Sequence, residues 1–362
     1  MWRVDNWTPF AADRTWVRDS DGAEVWVVAV KATYSILPDG KVRLAGEQLP
    51  LNHGPVPADG RAGLLYDTDL GPPKAATDIV LNGAAWAPNG EPVRTLRAGF
   101  QIGATGHFAT VCGDRYWERK LWSWRPSEAV PFVSMPLAYE YAFGGDTPEL
   151  PPASRNPVGR GYTPDADGRV WLPNIESVTK PIRKRDDVPP TTGFGVLPAH
   201  WPARLQHGGT YDDTWRNTRH PLPPEDLDPR FWQIAPPEQQ ANGHLSGGET
   251  VTLLNVTRPD LVPGGRLNFR LPKVSLVCET RFYDGTRVHT RPVIHTIILE
   301  PDDLRVCVVY HMALPCHEKV NLLEQTRVTM KRRPLDKAWQ AVFGDVLTAA
   351  EASPESDTEQ PA

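Results

Sequence analysis

The chain has 362 residues, 40% of them hydrophobic, with 13 Trp, 38 Pro and 29 Gly and a formal net charge of −5. That length buries a sizeable core as one large β domain or two smaller ones, and so much Pro and Gly excludes a fold of long helices. Five acids with no Lys or Arg follow Gly344; without them the body holds 39 residues of each sign, a balance that sets up no general field for nucleic acid.

The N-terminal MWRVDNWTPF carries charges where a signal peptide needs an apolar core, and no window of 18 apolar residues follows. The four cysteines (Cys112, Cys278, Cys307, Cys316) form no CxxC pair and sit in apolar runs, as buried free thiols of a reducing compartment do. A soluble, cytoplasmic protein is expected.

Residues 1–20 are mixed and aromatic. Val25–Val30 is a continuous apolar run that becomes the alternating KATYSI, which predicts a strand starting in the core and ending at its edge. Pro38-Asp39-Gly40 is a turn, because Pro sets φ and Gly accepts a positive φ, and Lys41–Leu44 returns as the second strand of a hairpin. Asp78–Trp86, Val93–Ile102 and His107–Cys112 continue as strands with turns between them, so the first 130 residues read as an antiparallel meander. RYWERKLWSWRPSEAVPF mixes Trp with Arg and Lys, as single-strand binders do; a β-ribbon with aromatic cross-strand pairs fits the neutral body better.

Residues 131–248 are different. Of the 38 prolines, 19 fall in 131–240, yet Trp171, Trp201, Tyr211, Trp215, Phe231 and Trp232 interrupt the run. Proline forces extended or turn geometry and disordered segments are poor in aromatics, so an ordered loop segment pinned over a β core is predicted. Strands return at Val251–Leu254, Arg266–Arg270, Val274–Phe282, Val288–Glu300 and Leu304–Leu314, the last two as a hairpin around Pro301-Asp302-Asp303. Leu322–Lys331 is a strand or a helix. Leu335, Ala338, Trp339, Val342 and Phe343 have the spacing of a short amphipathic helix behind Pro334. The expected architecture is mainly β, with antiparallel sheets, sandwich- or barrel-like, in one domain over 1–343. It divides into a meander (1–130), a wrapping segment (131–248), further strands (249–333) and a short helix (334–343), before a disordered acidic tail (344–362).

The blocks YEYAFGGD, NPVGRGY, LPNIE, GTYDDTW and LDPRFWQIAPPEQQ, with Met1–Ile36, resemble the bacterial domain-of-unknown-function family 2169 from Met1 to about Pro315. The resemblance implies an association with type VI secretion: an adaptor or chaperone that binds a toxin effector and helps load it onto the VgrG spike, beside PAAR-repeat proteins. It brings no catalytic residues.

Read for chemistry, the chain has no Walker loop, GxSxG, HExxH or EF-hand loop, and VGRGY lacks the strand–helix setting of a phosphate cradle. Arg155, Arg160 and Arg169 suit an anion, or salt bridges to Asp165 and Asp167. Cys307, His311, Cys316 and His317 are soft and imidazole ligands at short spacing, but Pro315 breaks any helix that would align them. The acids at Asp67/Asp69, Asp186/Asp187, Asp212/Asp213 and Glu225/Asp226/Asp228 would serve a carbohydrate-active or metal-dependent hydrolase; in turn-rich loops they read better as caps. The expectation is a non-enzymatic protein without cofactor or metal, with Trp201, Tyr211, Trp215, Phe231 and Trp232 as contacts for protein partners. A structural, phage-like assembly part is the third reading.

Overall fold

The computed structural model describes residues 2–60, 62–120, 122–316, 319–333 and 336–351, with side chains as far as Gly344. Among them the chain is mainly β, in several antiparallel sheets with no closed barrel.

The longest strand, Glu24–Ile36, is the spine of a six-stranded sheet. Ala11–Arg18 pairs with one side of it, Arg305–Pro315 with the other; Val293–Glu300 and then Asp78–Leu81, the last in parallel, complete the order, and Val42–Leu44 closes the Gly40 hairpin. A five-stranded antiparallel sheet runs Ile175–Ser177, Thr105–Cys112, Thr95–Ile102, Thr250–Leu254, Arg266–Arg270. In a four-stranded sheet, Arg3–Trp7 lies parallel to Leu323–Met330, followed by Leu276–Phe282 and Arg287–Thr290. One hydrophobic cluster joins them: Trp26, Val28 and Tyr34 from the first sheet, Phe100, Val251 and Phe269 from the second, Cys278, Leu323 and Val328 from the third.

The meander is corrected. Asp78–Leu81 and Thr95–Ile102 belong to different sheets, and Glu24–Ile36, Asp78–Leu81 and Thr95–Ile102 each pair with a strand from the last third of the chain. Asp78–Leu81 finds its partner more than 200 residues later, a pairing that turn spacing cannot reveal. Val288–Glu300 is also split, into Arg287–Thr290 and Val293–Glu300, because Pro292 has no N–H for a ladder. The undecided 322–331 segment is a strand.

The end of the Glu24–Ile36 strand is not an exposed edge. Lys31 and Thr33 are buried, and Lys31 Nζ meets Asp69 Oδ2 at 2.9 Å. The predicted C-terminal helix spans Lys337–Glu351, longer than its apolar spacing indicated. Asp336 Oδ1 caps it by accepting from the Ala338 and Trp339 N–H groups at 2.9 and 3.3 Å, and Phe343 packs edge-on to Phe10 and Tyr34. Pro334 and Leu335 lie outside the described residues, as does 352–362 of the predicted tail.

Candidate functional site

Two acids hold the Pro-rich segment in place: Asp78 on the six-stranded sheet and Asp67 in the loop after Leu64–Tyr66. Asp78, fully buried, accepts from Lys74 Nζ at 2.7 Å, Gln233 Nε2 at 2.9 Å and the Ile234 N–H at 2.8 Å. Arg204, 5% exposed, donates to Asp67 at 2.8 Å and to the carbonyls of Leu197 at 2.7 Å and Phe231 at 3.0 Å. Burying charge is costly unless it is paired, so each site fixes the loop that supplies the partner. Gln239 Nε2 adds a bond to the Gly193 carbonyl at 2.6 Å.

These anchors build a cleft of about 320 Å³. Tyr139, Leu197, Trp201 and Pro236 supply apolar wall; Arg155, Asn156, Gln233 and Glu238 supply the polar part. Four sequence blocks distant from one another thus meet: YEYAFGGD, NPVGRGY, FGVLPAHWPARL and LDPRFWQIAPPEQQ. Asn156, 1% exposed, ties two of them by donating to the Tyr139 carbonyl at 2.7 Å. Trp201 packs edge-on to Tyr139, centroids 5.2 Å apart.

The lining cations differ in their partners. Arg204 is held by Asp67, and Arg230 forks onto Asp228, whose carboxyl it holds down at about 2. His207 is held below the usual imidazole range by burial and sits 3.7 Å from Asp228. Arg155 is half-buried; among the described residues it has no ion-pair partner, and its buried Nε has no acceptor.

The five predicted contact residues do not form one patch. Trp201 is 3% exposed and serves as cleft wall, so it offers no outer surface. Tyr211 is exposed and packs edge-on to half-buried Trp215, which packs in turn on His220. Phe231 and Trp232 form a second half-buried pair, with the Arg204 guanidinium over the Phe231 ring.

A second exposed feature is the ribbon Trp117–Lys120/Ser123–Pro126, which joins no larger sheet. Its predicted aromatic pairs are absent: Trp117 faces Pro126 and Trp124 faces Arg119. Trp117 is buried with Val170 and Leu172, Ile182 packing on them, whereas Trp122 at the tip is 92% exposed and Arg185 covers Trp124 at 4.0 Å.

Most of the predicted acids are caps or bridges. Asp212 caps the Asp213–Thr218 helix through the Trp215 N–H at 2.8 Å; Asp228 caps Pro229–Trp232. Asp213 pairs with Arg216, Asp226 accepts from Thr210, and Asp187 accepts from the Arg183 and Lys184 N–H groups. Asp165 accepts from backbone N–H groups and Trp171 rather than from arginine side chains; Arg160 reaches the Glu140 carbonyl and lies over Tyr141, and Arg169 lies over Tyr116.

Cys307 and His311 share a strand face roughly 13 Å apart, four residues at the strand rise. His311 stacks on His295 at 3.6 Å, Cys316 donates to the Leu314 carbonyl at 3.4 Å, and His317 lies outside the described residues. Among the described residues no three His, Cys, Asp or Glu side chains gather as a metal site. All four cysteines are free and buried; burial pushes the Cys278 thiol up to about 12 and Cys307 to about 11.

Sequence reading missed Asp78, Lys74 and Lys31. The signal available was a Lys inside an otherwise apolar strand pattern, which needs a buried acid.

No helix among the described residues is long and apolar enough to cross a membrane. No curated protein and no solved structure compared with the chain is similar to it. The model of a family described as "uncharacterized protein conserved in bacteria (DUF2169)" matches residues 21–311, and the chain therefore belongs to that family.

Proposed function

We propose that this protein is a non-enzymatic adaptor that binds a type VI secretion effector and helps load it onto the VgrG/PAAR spike. The carrying observation is the apolar-walled cleft where Tyr139, Arg155, Trp201 and Gln233 meet, a concave site whose chemistry suits recognition of a polypeptide. An adaptor needs two surfaces. The ribbon with Trp122 and Trp124 shares no residue with the cleft and supplies the second, since exposed Trp and Arg are the side chains that dominate interface energetics. Tyr211, Trp215, Phe231 and Trp232 extend the contact surface.

The test is co-purification of the tagged protein with a candidate effector and VgrG, using the wild type, Trp122→Ala and Tyr211→Ala/Trp232→Ala. Loss of one partner in one variant, with the other partner retained, supports two surfaces. Retention of both partners in every variant removes these residues from the reading.

A further inference from the structure

We infer that the cleft captures the C-terminal carboxylate of a partner polypeptide on Arg155, with the last side chain, an apolar one, against Tyr139 and Trp201. This deepens the proposed function and rests on its polypeptide-recognition reading.

Charge is the first argument. A half-buried guanidinium has lost much of its hydration and needs an anion in return. Arg204 and Arg230 on the same lining have theirs, Asp67 and Asp228; Arg155 has none among the described residues. Glu238, the lining acid, forms no ion pair with it. One open guanidinium among prolines and aromatics matches a single carboxylate. A phosphate dianion calls for further cations, and the other two are engaged.

Size and polarity are the second argument. A cleft of about 320 Å³ is at the small end of ligand sites, room for a chain end rather than a long traversing segment. A terminal residue brings its carboxylate and its side chain together, the pairing this lining presents. Carboxylate recognition by a forked guanidinium is also directional, which fixes the register of the bound end.

The experiment is affinity selection from two randomised hexapeptide pools, identical except that one has free C-terminal carboxylates and the other C-terminal amides. Wild type should enrich free-acid peptides with an apolar last residue by roughly tenfold or more over amides, the effect of one charge-assisted hydrogen bond. Arg155→Gln should lose that preference while melting at the wild-type temperature, since Arg155 has no partner among the described residues to strand; Arg155→Lys should keep part of it. Equal enrichment of both pools, a preference that survives Arg155→Gln, selection of amidated peptides with internal acids, or no enrichment at all would each overturn the assignment. Failure of the adaptor reading is distinguishable: wild type would then co-purify with neither effector nor VgrG, whatever the pools show. If Arg155→Gln still co-purifies with both, the adaptor reading stands and the carboxylate assignment falls.

Discussion

At the scale of single residues, the arrangement rests on charges taken out of water. Asp78 both neutralises Lys74 and holds Gln233 and Ile234, so Asp78→Asn strands a buried ammonium and frees the cleft floor. A loss of about 3–5 kcal/mol is expected in urea denaturation; a loss below about 1 kcal/mol would mean that Lys74 finds water. The buried histidines set the pH response. Burial holds His107 down at about 4 and His311 at about 3, and places the stacked His295 well below its usual range. Each is neutral in the folded protein and titrates near 6.5 once unfolded, so below that pH the unfolded chain binds more protons. Stability is therefore full above about pH 6.5 and falls on acidification, by roughly 1.4 kcal/mol per pH unit for each such histidine until its folded value is reached. Urea midpoints between pH 7 and 4.5 should show that slope, and His107→Gln should flatten it by one proton. A pH-independent midpoint would contradict the burial.

At the scale of elements, two contacts are decisive. Gly40 has φ +82°, and a Cβ there would meet the Asn268 carbonyl oxygen at 2.1 Å, so Gly40→Ala should destabilise by about 1–3 kcal/mol through strain and the clash. Phe343, 1% exposed, docks the C-terminal helix on Phe10 and Tyr34; Phe343→Ala should cost about 3–5 kcal/mol in the same assay. A helix that melted with no effect on the sheets would show that docking to be dispensable. Elements were legible where local physics fixes them. Continuous apolar runs and Pro-Asp-Gly marked Glu24–Ile36 and its hairpin, and 3.6-residue spacing marked the start of the last helix. Ala11–Arg18 was not legible: it is half-exposed, with Trp16 among its exposed positions between Arg14 and Arg18 and no apolar run to mark it. Arg3–Trp7 gains its conformation from pairing with Leu323–Met330 at the other end of the chain.

At the scale of the whole molecule, the β class was readable but the interleaving of the two chain thirds was not, because parallel and long-range pairings leave no mark in turn spacing. The cleft was half legible. Rings and prolines told of an ordered covering segment, and Trp201 pointed to its position, but its burial as wall depends on Asp67 and Asp78, acids whose partners lie more than 100 residues away. Arg155 is one of three arginines whose sequence setting suits an anion or salt bridges; Arg160 lies 3.6 Å from Asp114 and Arg169 lies over Tyr116, whereas Arg155 has neither kind of partner among the described residues. Surface truncations give the complementary expectation: Trp122→Ala, at a 92% exposed tip, should leave stability within about 0.5 kcal/mol. A larger loss would assign that ring to the fold.

The most direct measurement is co-purification of the tagged full chain from its native bacterium, with mass spectrometry and size-exclusion of the eluate, for wild type and Trp122→Ala side by side. The account predicts a defined complex of wild type with one toxin-like protein and VgrG or PAAR components, and loss of one of those two partners in the variant. Wild type recovered alone at low salt would contradict it.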